Sequence, residues 1–314
     1  MDKDNFNELH TGNIISVSDI VSHIWRGKWI IGSVTSIFSI AFILYALSLP
    51  NIYRSEALLA PVTASAGMEI PGQLGGLAAI AGINLNGLGS GKNNTVLALE
   101  IIKSRDFISQ FIEKNNILVQ LMAVDGWDMY SNELIIDSNV YDSSNNEWKR
   151  KVKLPFKPKP SLLEAHESFI DILNVSRDKT TDIVKISIDH YSPYIAEKWL
   201  KLLIHDINDE MRRRDIYDST ASINYLQAQL NKTNVTGIQA ALYSLIEEQT
   251  KTLMLANVKE EYVFITIDPP VAPENRVSPR RSLIAIIGFI FGLTFSLLSL
   301  MALNTYRNTH RNRT

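Results

Sequence analysis

Cysteine is absent from this chain of 314 residues. The absence excludes disulfide bridges, thiol catalysis and cysteine-based metal sites, and it fits a bacterial periplasmic setting as well as a cytoplasmic one. A strong charge of either sign is lacking too. The formal net charge is −2, which gives no reason to expect a nucleic-acid partner. The six histidines never fall at metal-ligand spacing, and no serine elbow or triad order marks a nucleophile. We therefore expect no enzyme activity, no cofactor and no metal.

Charged residues are also missing from two long apolar runs, one near each end of the chain. Trp29 to Leu49 and Leu283 to Leu303 each hold 21 residues without Asp, Glu, Lys or Arg. A helix of that length spans roughly 30 Å, the hydrocarbon thickness of a bilayer. Both runs therefore predict transmembrane helices. A cleaved signal peptide is the alternative for the first run, but the run is longer than the usual apolar region of about 7 to 15 residues.

The two runs divide the chain into five parts. These are a tail 1–28, a first anchor 29–49, a central domain 50–282, a second anchor 283–303 and a tail 304–314. The first tail ends in a predicted amphipathic helix. Its apolar residues at helical spacing are Val17, Ile20, Val21, Ile24 and Trp25. Basic residues flank the anchors on both sides. Because the positive-inside rule weighs short segments above long translocated domains, we expect both tails in the cytoplasm.

Hydrophobic periodicity in the central domain predicts a mixture of helices and strands. Strand composition marks Tyr53–Ala60, and alternating apolar residues mark two further strands, Ile183–His190 and Val263–Ile267. Helical spacing marks Thr95–Lys114, and Ser161 with Glu164 forms a capping box for a helix that ends at Leu173. The glycine-rich stretch Pro71–Gly91 is a predicted loop.

The longest helical pattern runs from Pro193 to Asn231, roughly 58 Å if it is unbroken. Four apolar residues recur on it at every fourth position: Ile195, Trp199, Leu203 and Ile207. Because one small domain does not cover so long a helix, we predict that this stripe is exposed in the monomer. It would then form the contacts of a homo-oligomer.

Three short motifs each have a functional and an ordinary interpretation. Gly87–Lys92 resembles a phosphate-binding loop, but its glycine spacing is one residue short and Asn93 stands where Ser or Thr is required. In the second anchor, Gly288 and Gly292 form a GxxxG pattern, which predicts close packing against a first anchor of the same or a neighbouring subunit. Its ordinary interpretation is chance spacing, which is frequent in apolar helices. An arginine run in the long helix could hold an anionic glycan or phosphate, although intersubunit or local ion pairs are favoured. It consists of Arg212, Arg213 and Arg214.

A proline-rich segment, 268–281, directly precedes the second anchor. Proline fixes φ and removes a backbone donor, so the segment is a predicted stiff, extended strut between domain and membrane. Its arginines would lie at the level of lipid phosphates or lipid-linked glycan carriers, and simple interfacial anchoring is their ordinary interpretation. The residues assigned to the strut are Pro269, Pro270, Pro273, Pro279, Arg276, Arg280 and Arg281.

In this order of elements the chain resembles the polysaccharide co-polymerase family, specifically the Wzz-type chain-length determinants of bacterial surface polysaccharides. The resemblance runs across nearly the whole chain. It rests on Val17–Leu49, Tyr53–Pro61 (YRSEALLAP), Leu97–Phe111 (LALEIIKSRDFISQF), Met254–Pro270 (MLANVKEEYVFITIDPP) and Asn275–Arg281. The last segment is the most diagnostic, because the second anchor follows it at once.

The resemblance implies an α+β membrane protein of the Gram-negative inner membrane, with cytoplasmic tails and a periplasmic α/β base domain from which a long helix protrudes. It implies ring-shaped homo-oligomers of about eight subunits. These would set the length of O-antigen-type lipopolysaccharide chains, which a Wzy-type polymerase makes on undecaprenyl diphosphate, without catalysis of their own. A capsule or exopolysaccharide export co-polymerase is the alternative. We expect no tyrosine kinase domain of the kind found in related co-polymerases, since the chain ends eleven residues after Leu303.

Overall fold

The computed structural model of the protein describes residue 25 and residues 28–62 and 91–311. The predicted amphipathic helix of the first tail therefore lies outside the described residues, apart from Trp25. The predicted glycine-rich loop and the segment that resembles a phosphate-binding loop also lie almost wholly outside them. The chain forms two compact units: residues 51–277, and the two terminal segments 1–50 and 278–314.

The terminal unit contains two apolar helices. They are α1 (Lys28–Ser48) and, at the other end of the chain, α8 (Arg281–Arg311). By length and composition both are long enough to cross a membrane, over Lys28–Ser48 and Arg281–Leu300, with mean hydropathies of 2.2 and 2.5. Only 11% and 17% of these stretches are buried within the protein, unlike the core helices of a soluble domain.

The central unit combines eight strands with six helices among its described residues. In chain order they are β1 (Tyr53–Pro61), α2 (Gly91–Ile101), α3 (Arg105–Lys114), α4 (Leu118–Met122), β2 (Val124–Asp128), β3 (Glu133–Ile136), β4 (Tyr141–Asp142), β5 (Glu147–Trp148), α5 (Leu162–Ile172), β6 (Leu173–Arg177), β7 (Val184–His190), α6 (Pro193–Leu230), α7 (Thr236–Val258) and β8 (Phe264–Asp268). The predicted fold class, an α+β domain flanked by two candidate membrane helices, is confirmed.

Four of the strands form one antiparallel sheet in the order β6-β7-β1-β8. Strand β1 is central, and its residues alternate between buried and half-buried, as expected for a strand with one face on the core. Its register with β7 runs from Tyr53↔His190 to Leu59↔Val184. A bulge between Leu58 and Leu59 shifts the register with β8. The hairpins β2–β3 and β4–β5 are separate two-stranded sheets that the sequence did not predict.

Helices α2, α3, α5 and the first half of α6 cover one face of the sheet and enclose the core. The helix predicted over Thr95–Lys114 is in fact two helices. Ser104 has an extended backbone and its side chain accepts a hydrogen bond from the Phe107 amide, so it begins α3 as an N-cap. The capping box predicted at Ser161 and Glu164 is confirmed at the start of α5.

The prediction of an exposed stripe on the long helix is wrong. Trp199 is 1% exposed, and Leu203 and Ile207 are fully buried, all within the core of their own domain. Ile195 is partly buried against the same core. The sheet and the shorter helices cover this stripe, so Trp199, Leu203 and Ile207 are not available as contacts between subunits.

Beyond the sheet, α6 continues as one arm of a helical hairpin. Past Met211 its only buried residue is Ser219, and α7, which returns along it, buries only Ala256. With 38 residues, α6 is roughly 57 Å long, and only its first half belongs to the compact core. The second half and α7 therefore project as a mostly exposed pair of helices.

Candidate functional site

The proline-rich segment lies along the first half of strand β1. The Ser55 hydroxyl donates a hydrogen bond to the carbonyl of Val271 (2.8 Å), and the Val277 amide donates to the carbonyl of Ile52 (2.9 Å). Strand β8 already pairs with the second half of β1, so the segment extends the same edge of the sheet. It is therefore attached to the domain along its length and is not a free spacer. We call residues 269–277 the proline strap.

Within the strap the prolines have different surroundings. Pro270 is buried, Pro273 is half-buried and Pro269 is exposed. Because prolines cannot donate to a strand ladder, the other groups of the strap provide its hydrogen bonds. One of these is the guanidinium of Arg276, which donates to the Asn51 side chain at 3.3 Å.

The last three predicted strut residues belong to the terminal unit. Pro279 follows the strap, and Arg280 and Arg281 stand at the start of α8. The carbonyl of Arg280 accepts hydrogen bonds from the amides of Leu283 (3.0 Å) and Ile284 (3.2 Å), so it takes part in the first turn of the helix. The structure therefore divides the predicted strut into a part bound to the sheet and a part that begins the second candidate span.

A buried asparagine on the long helix holds the start of β8. The side-chain oxygen of Asn208 accepts three backbone hydrogen bonds, from Tyr262 (3.1 Å), Val263 (2.8 Å) and Phe264 (3.0 Å). Its amide nitrogen donates to the carbonyls of Ile204 (3.1 Å) and Phe264 (3.3 Å). The residue is 4% exposed, so these bonds are shielded from water. The sequence offered one signal for it, a lone amide side chain between the buried positions of a helical stripe.

Further contacts join the same two elements next to Asn208. The hydroxyl of Tyr262 donates to the Asp215 carboxylate at 2.5 Å, and Arg212 donates to the carbonyl of Glu260 at 3.1 Å. Burial, and then the bond to Asp215, raises the pKa of Tyr262, and burial raises the pKa of the Asp215 carboxyl. The segment between α7 and β8 is thus fixed to α6, and β8 leads directly into the proline strap.

The predicted arginine run is engaged in local ion pairs. Arg212 forms an ion pair with Asp209 (2.8 Å). Glu210 forms ion pairs with both Arg213 and Arg214, and its distance to Arg214 is 2.6 Å. Burial acts to raise the pKa of Glu210, but the hydrogen bonds from the two guanidinium groups outweigh it and lower that pKa. The arrangement matches the ordinary interpretation of the run, and a glycan contact by these residues stays a prediction.

A cleft of about 230 Å³ lies between α3 and α6 beside this run. Its charged groups are already paired, since Lys114 contacts Asp206 at 2.6 Å. Asp206 also stands in a group with His205 and Asp209 whose ligand atoms lie within 4.8 Å of one another. Because the lysine ammonium already neutralises the buried carboxylate of that group, these residues are poorly suited to hold a cation.

The two glycines of the second candidate span face the first span of the same chain. A Cβ added at Gly288 would lie 2.6 Å from Cγ of Phe42, and one added at Gly292 would lie 2.9 Å from Cβ of Phe38. Only a hydrogen fits at either position. Next to them, the hydroxyls of Thr35 and Ser296 form a buried pair at 3.5 Å. In the structure α1 and α8 therefore pack through the GxxxG pattern.

Comparison with known proteins agrees with the family resemblance found in the sequence. Residues 13–115, about a third of the chain, match the family model of the Wzz chain length determinant protein. The match takes in α1, β1, α2 and α3 of the described elements. A comparison with curated proteins gives no significant match.

Two solved structures are similar to the chain. A full-length bacterial polysaccharide co-polymerase is 14% identical, with coverage of 93% of this chain and 99% of its own and a TM-score of 0.44. A fragment of WzzB, a polysaccharide co-polymerase from Salmonella Typhimurium, is also 14% identical, with coverage of 73% and 100% and a TM-score of 0.30. Both TM-scores are below 0.5, so these two similarities support no further conclusion about the chain. The resemblance to a Wzz-type co-polymerase is confirmed.

Proposed function

We propose that this protein, a Wzz-type polysaccharide co-polymerase, regulates the chain length of an O-antigen-type polysaccharide without catalysing a reaction itself. The match of residues 13–115 to the chain length determinant model carries this proposal. Two features support it: the α+β domain stands between two candidate membrane spans, and a helical hairpin projects beyond its sheet. The protein would sit in the Gram-negative inner membrane with both tails cytoplasmic and the domain periplasmic.

We further propose that the active form is a ring-shaped homo-oligomer of about eight subunits that acts with a Wzy-type polymerase on undecaprenyl-diphosphate-linked glycan. Since the predicted stripe is buried, the subunit contacts must come from elsewhere. Three tyrosines on the hairpin, Tyr217, Tyr225 and Tyr243, are all more than half exposed. Tyrosine is enriched at protein interfaces because it has a large apolar body and a polar tip. We propose that the projecting helices, the second half of α6 together with α7, form the contacts between subunits.

The test is the surface-polysaccharide ladder on a gel, from cells with the gene, without it, and with the gene restored. A regulator gives a modal band that collapses to a random length distribution on deletion and returns on complementation. Total loss of surface polymer on deletion would instead favour the export alternative. An unchanged ladder would contradict both.

The proline strap is the proposed route by which the domain acts on the second span. Replacing residues 269–277 by a Gly/Ser segment of equal length removes the fixed φ angles and the buried Pro270. We expect the modal band to broaden while expression and oligomer mass, measured by light scattering in detergent, stay close to wild type. If this variant gave the wild-type modal band, the strap would act only as a spacer between the domain and the second span.

A further inference from the structure

A strongly basic loop joins the β4–β5 hairpin to helix α5. Between Lys149 and Pro160 the sequence KRKVKLPFKPKP has six Lys or Arg residues and no Asp or Glu. Every residue from 151 to 159 is exposed. We call residues 149–160 the basic loop. The chain-length function proposed above makes no use of it.

The base of the loop is closed by one arginine. Arg150 donates to the carbonyls of Pro158 (2.8 Å) and Lys157 (3.0 Å), and it pairs with Glu164 at 2.6 Å. Glu164 is itself fixed by the capping box with Ser161 at the start of α5. Hydrogen bonds, that from the Ser161 amide first, lower the pKa of Glu164, so it stays ionised as the partner of Arg150. The loop is therefore a preformed lobe.

Four lysines point their charge outward from this lobe. Lys149 pairs with Asp142 and Arg150 with Glu164, but the other four make no ion pair with any residue that the structure describes. They are Lys151, Lys153, Lys157 and Lys159. Concentrated unpaired charge of one sign is suited to a partner surface of the opposite sign.

The tip of the lobe is apolar. Leu154 is 92% exposed, Phe156 is 52% exposed and Val152 is 37% exposed, and lysines stand on both sides of this group in the sequence. Leucine and phenylalanine set among lysines are typical of segments that enter the headgroup region of a bilayer, where the apolar groups insert and the ammonium groups meet phosphate. An acidic polymer in water would satisfy the lysines but would leave Leu154 exposed.

We propose that the basic loop docks the domain on the surface of an anionic lipid bilayer, with Leu154 and Phe156 inserted and the free lysines on the lipid phosphates. In the chain only a few residues separate the domain from each candidate span, from Ser48 to Tyr53 and from Val277 to Arg281, so the proposed spans would tether it to a bilayer at both ends. The loop adds a third membrane contact to the two spans.

The absence of cysteine makes a direct test possible, because a single introduced cysteine carries a unique label. The full-length Val152→Cys protein, labelled with an environment-sensitive fluorophore, is reconstituted in nanodiscs of phosphatidylcholine alone or mixed with phosphatidylglycerol. A label at Lys179→Cys, in the exposed turn between β6 and β7, is the matched control position. We expect a blue shift and quenching by lipid-borne quenchers at position 152 only, and only with phosphatidylglycerol.

Charge and apolar variants separate the two parts of the contact. One lysine near an anionic surface contributes about fivefold in affinity, so Lys153→Gln with Lys157→Gln should lower the inserted population on the order of twentyfold. Molar salt should have a similar effect, since the screening length falls to about 3 Å. Leu154→Ser with Phe156→Ser should abolish quenching while leaving the lysines in place. Lys179→Gln with Lys259→Gln, two exposed lysines outside the loop, should change nothing.

Three results would overturn the proposal. The first is equal emission and quenching in neutral and anionic discs. The second is insertion that survives loss of both lysines. The third is a shift in neutral discs when a soluble acidic polysaccharide is added, since the occupant would then be a glycan. None of these readouts depends on polysaccharide length, so the proposal can fail while the proposed function stands.

Discussion

Replacement of Asn208 by alanine tests whether the long helix holds the start of β8. The substitution removes one acceptor from three backbone amides, those of residues 262, 263 and 264, and one donor from the carbonyls of Ile204 and Phe264. Two of the three amide bonds are buried and the third is partly buried. The substitution therefore leaves backbone groups without hydrogen-bond partners at positions that bulk water does not readily reach.

The magnitude follows from these groups. A buried polar group left without a partner costs about 1–3 kcal/mol, and water that enters the polar space vacated by Asn208 recovers part of that cost. We expect the free energy of unfolding to fall by roughly 3–5 kcal/mol, below the sum of the separate bonds. The control is Asn257→Ala on α7. Asn257 makes the same side-chain bond to the carbonyl four residues back, but it is exposed and contacts no other amide, so about 0.5 kcal/mol is expected.

Two measurements on the full-length protein in detergent check this prediction. Urea unfolding followed by near-ultraviolet circular dichroism gives the change in stability. Hydrogen exchange gives the local effect, because each 1.4 kcal/mol of lost protection speeds exchange about tenfold, and the amides of Val263 and Phe264 should exchange at least about a hundredfold faster. If Asn208→Ala behaves like Asn257→Ala in both measurements, the side chain does not hold β8.

Three further substitutions test other contacts. Leucine at both Gly288 and Gly292 should separate α1 from α8, seen as lost crosslinking between cysteines introduced across that interface, whereas Gly32→Ala, with no atom within 4 Å, should not. Burial lowers the pKa of His190 to about 4, so the unfolded state binds more protons as pH falls from 6.5 to 4. About 3 kcal/mol of stability should be lost over that window, and urea titrations of His190→Gln should not show the loss. Arg150→Ala should open the basic loop and raise proteolysis within residues 151–159, and undiminished resistance would contradict its role as a clamp.

Local sequence signals predicted the elements that local physics determines. The two apolar runs, the strands around Tyr53, Ile186 and Phe264 and the long helix from Pro193 were all predicted from length and periodicity. The capping box at Ser161 was predicted because its reciprocal bonds join residues only three apart in sequence.

The exposure of the long helix could not be predicted in this way. Periodicity shows that Trp199 and Leu203 share a face, but it does not show what covers that face. The covering residues come from distant parts of the chain, such as Phe169 of α5, whose ring centroid lies 6.1 Å from that of Trp199. Asn208 was missed for the same reason, because its partners lie more than fifty residues away in sequence.

The two small hairpins left a weaker signal that went unused. Asn132 in the β2–β3 turn and Asn146 in the β4–β5 turn both have φ of 55°, a left-handed conformation that asparagine tolerates better than most residues. Their strands are too short and too polar for alternation to stand out, since β4 and β5 are two residues each. Turn chemistry, and not hydrophobic pattern, was the available clue.

The contacts of the central unit connect the core half of α6 to the proline strap. Asn208 joins α6 to the first residues of β8, and β8 pairs with β1. The strap that follows β8 is bonded to Ser55 of β1 and to Ile52, which directly precedes that strand. Four residues after Val277, α8 begins at Arg281. Since hydrogen bonds or a strand ladder join each of these elements to the next, we expect a shift of α6 to reach β8 and the strap. Sequence reasoning placed this function in the prolines alone. The structure adds that Asn208 at one end and β1 at the other hold the segment that the prolines stiffen.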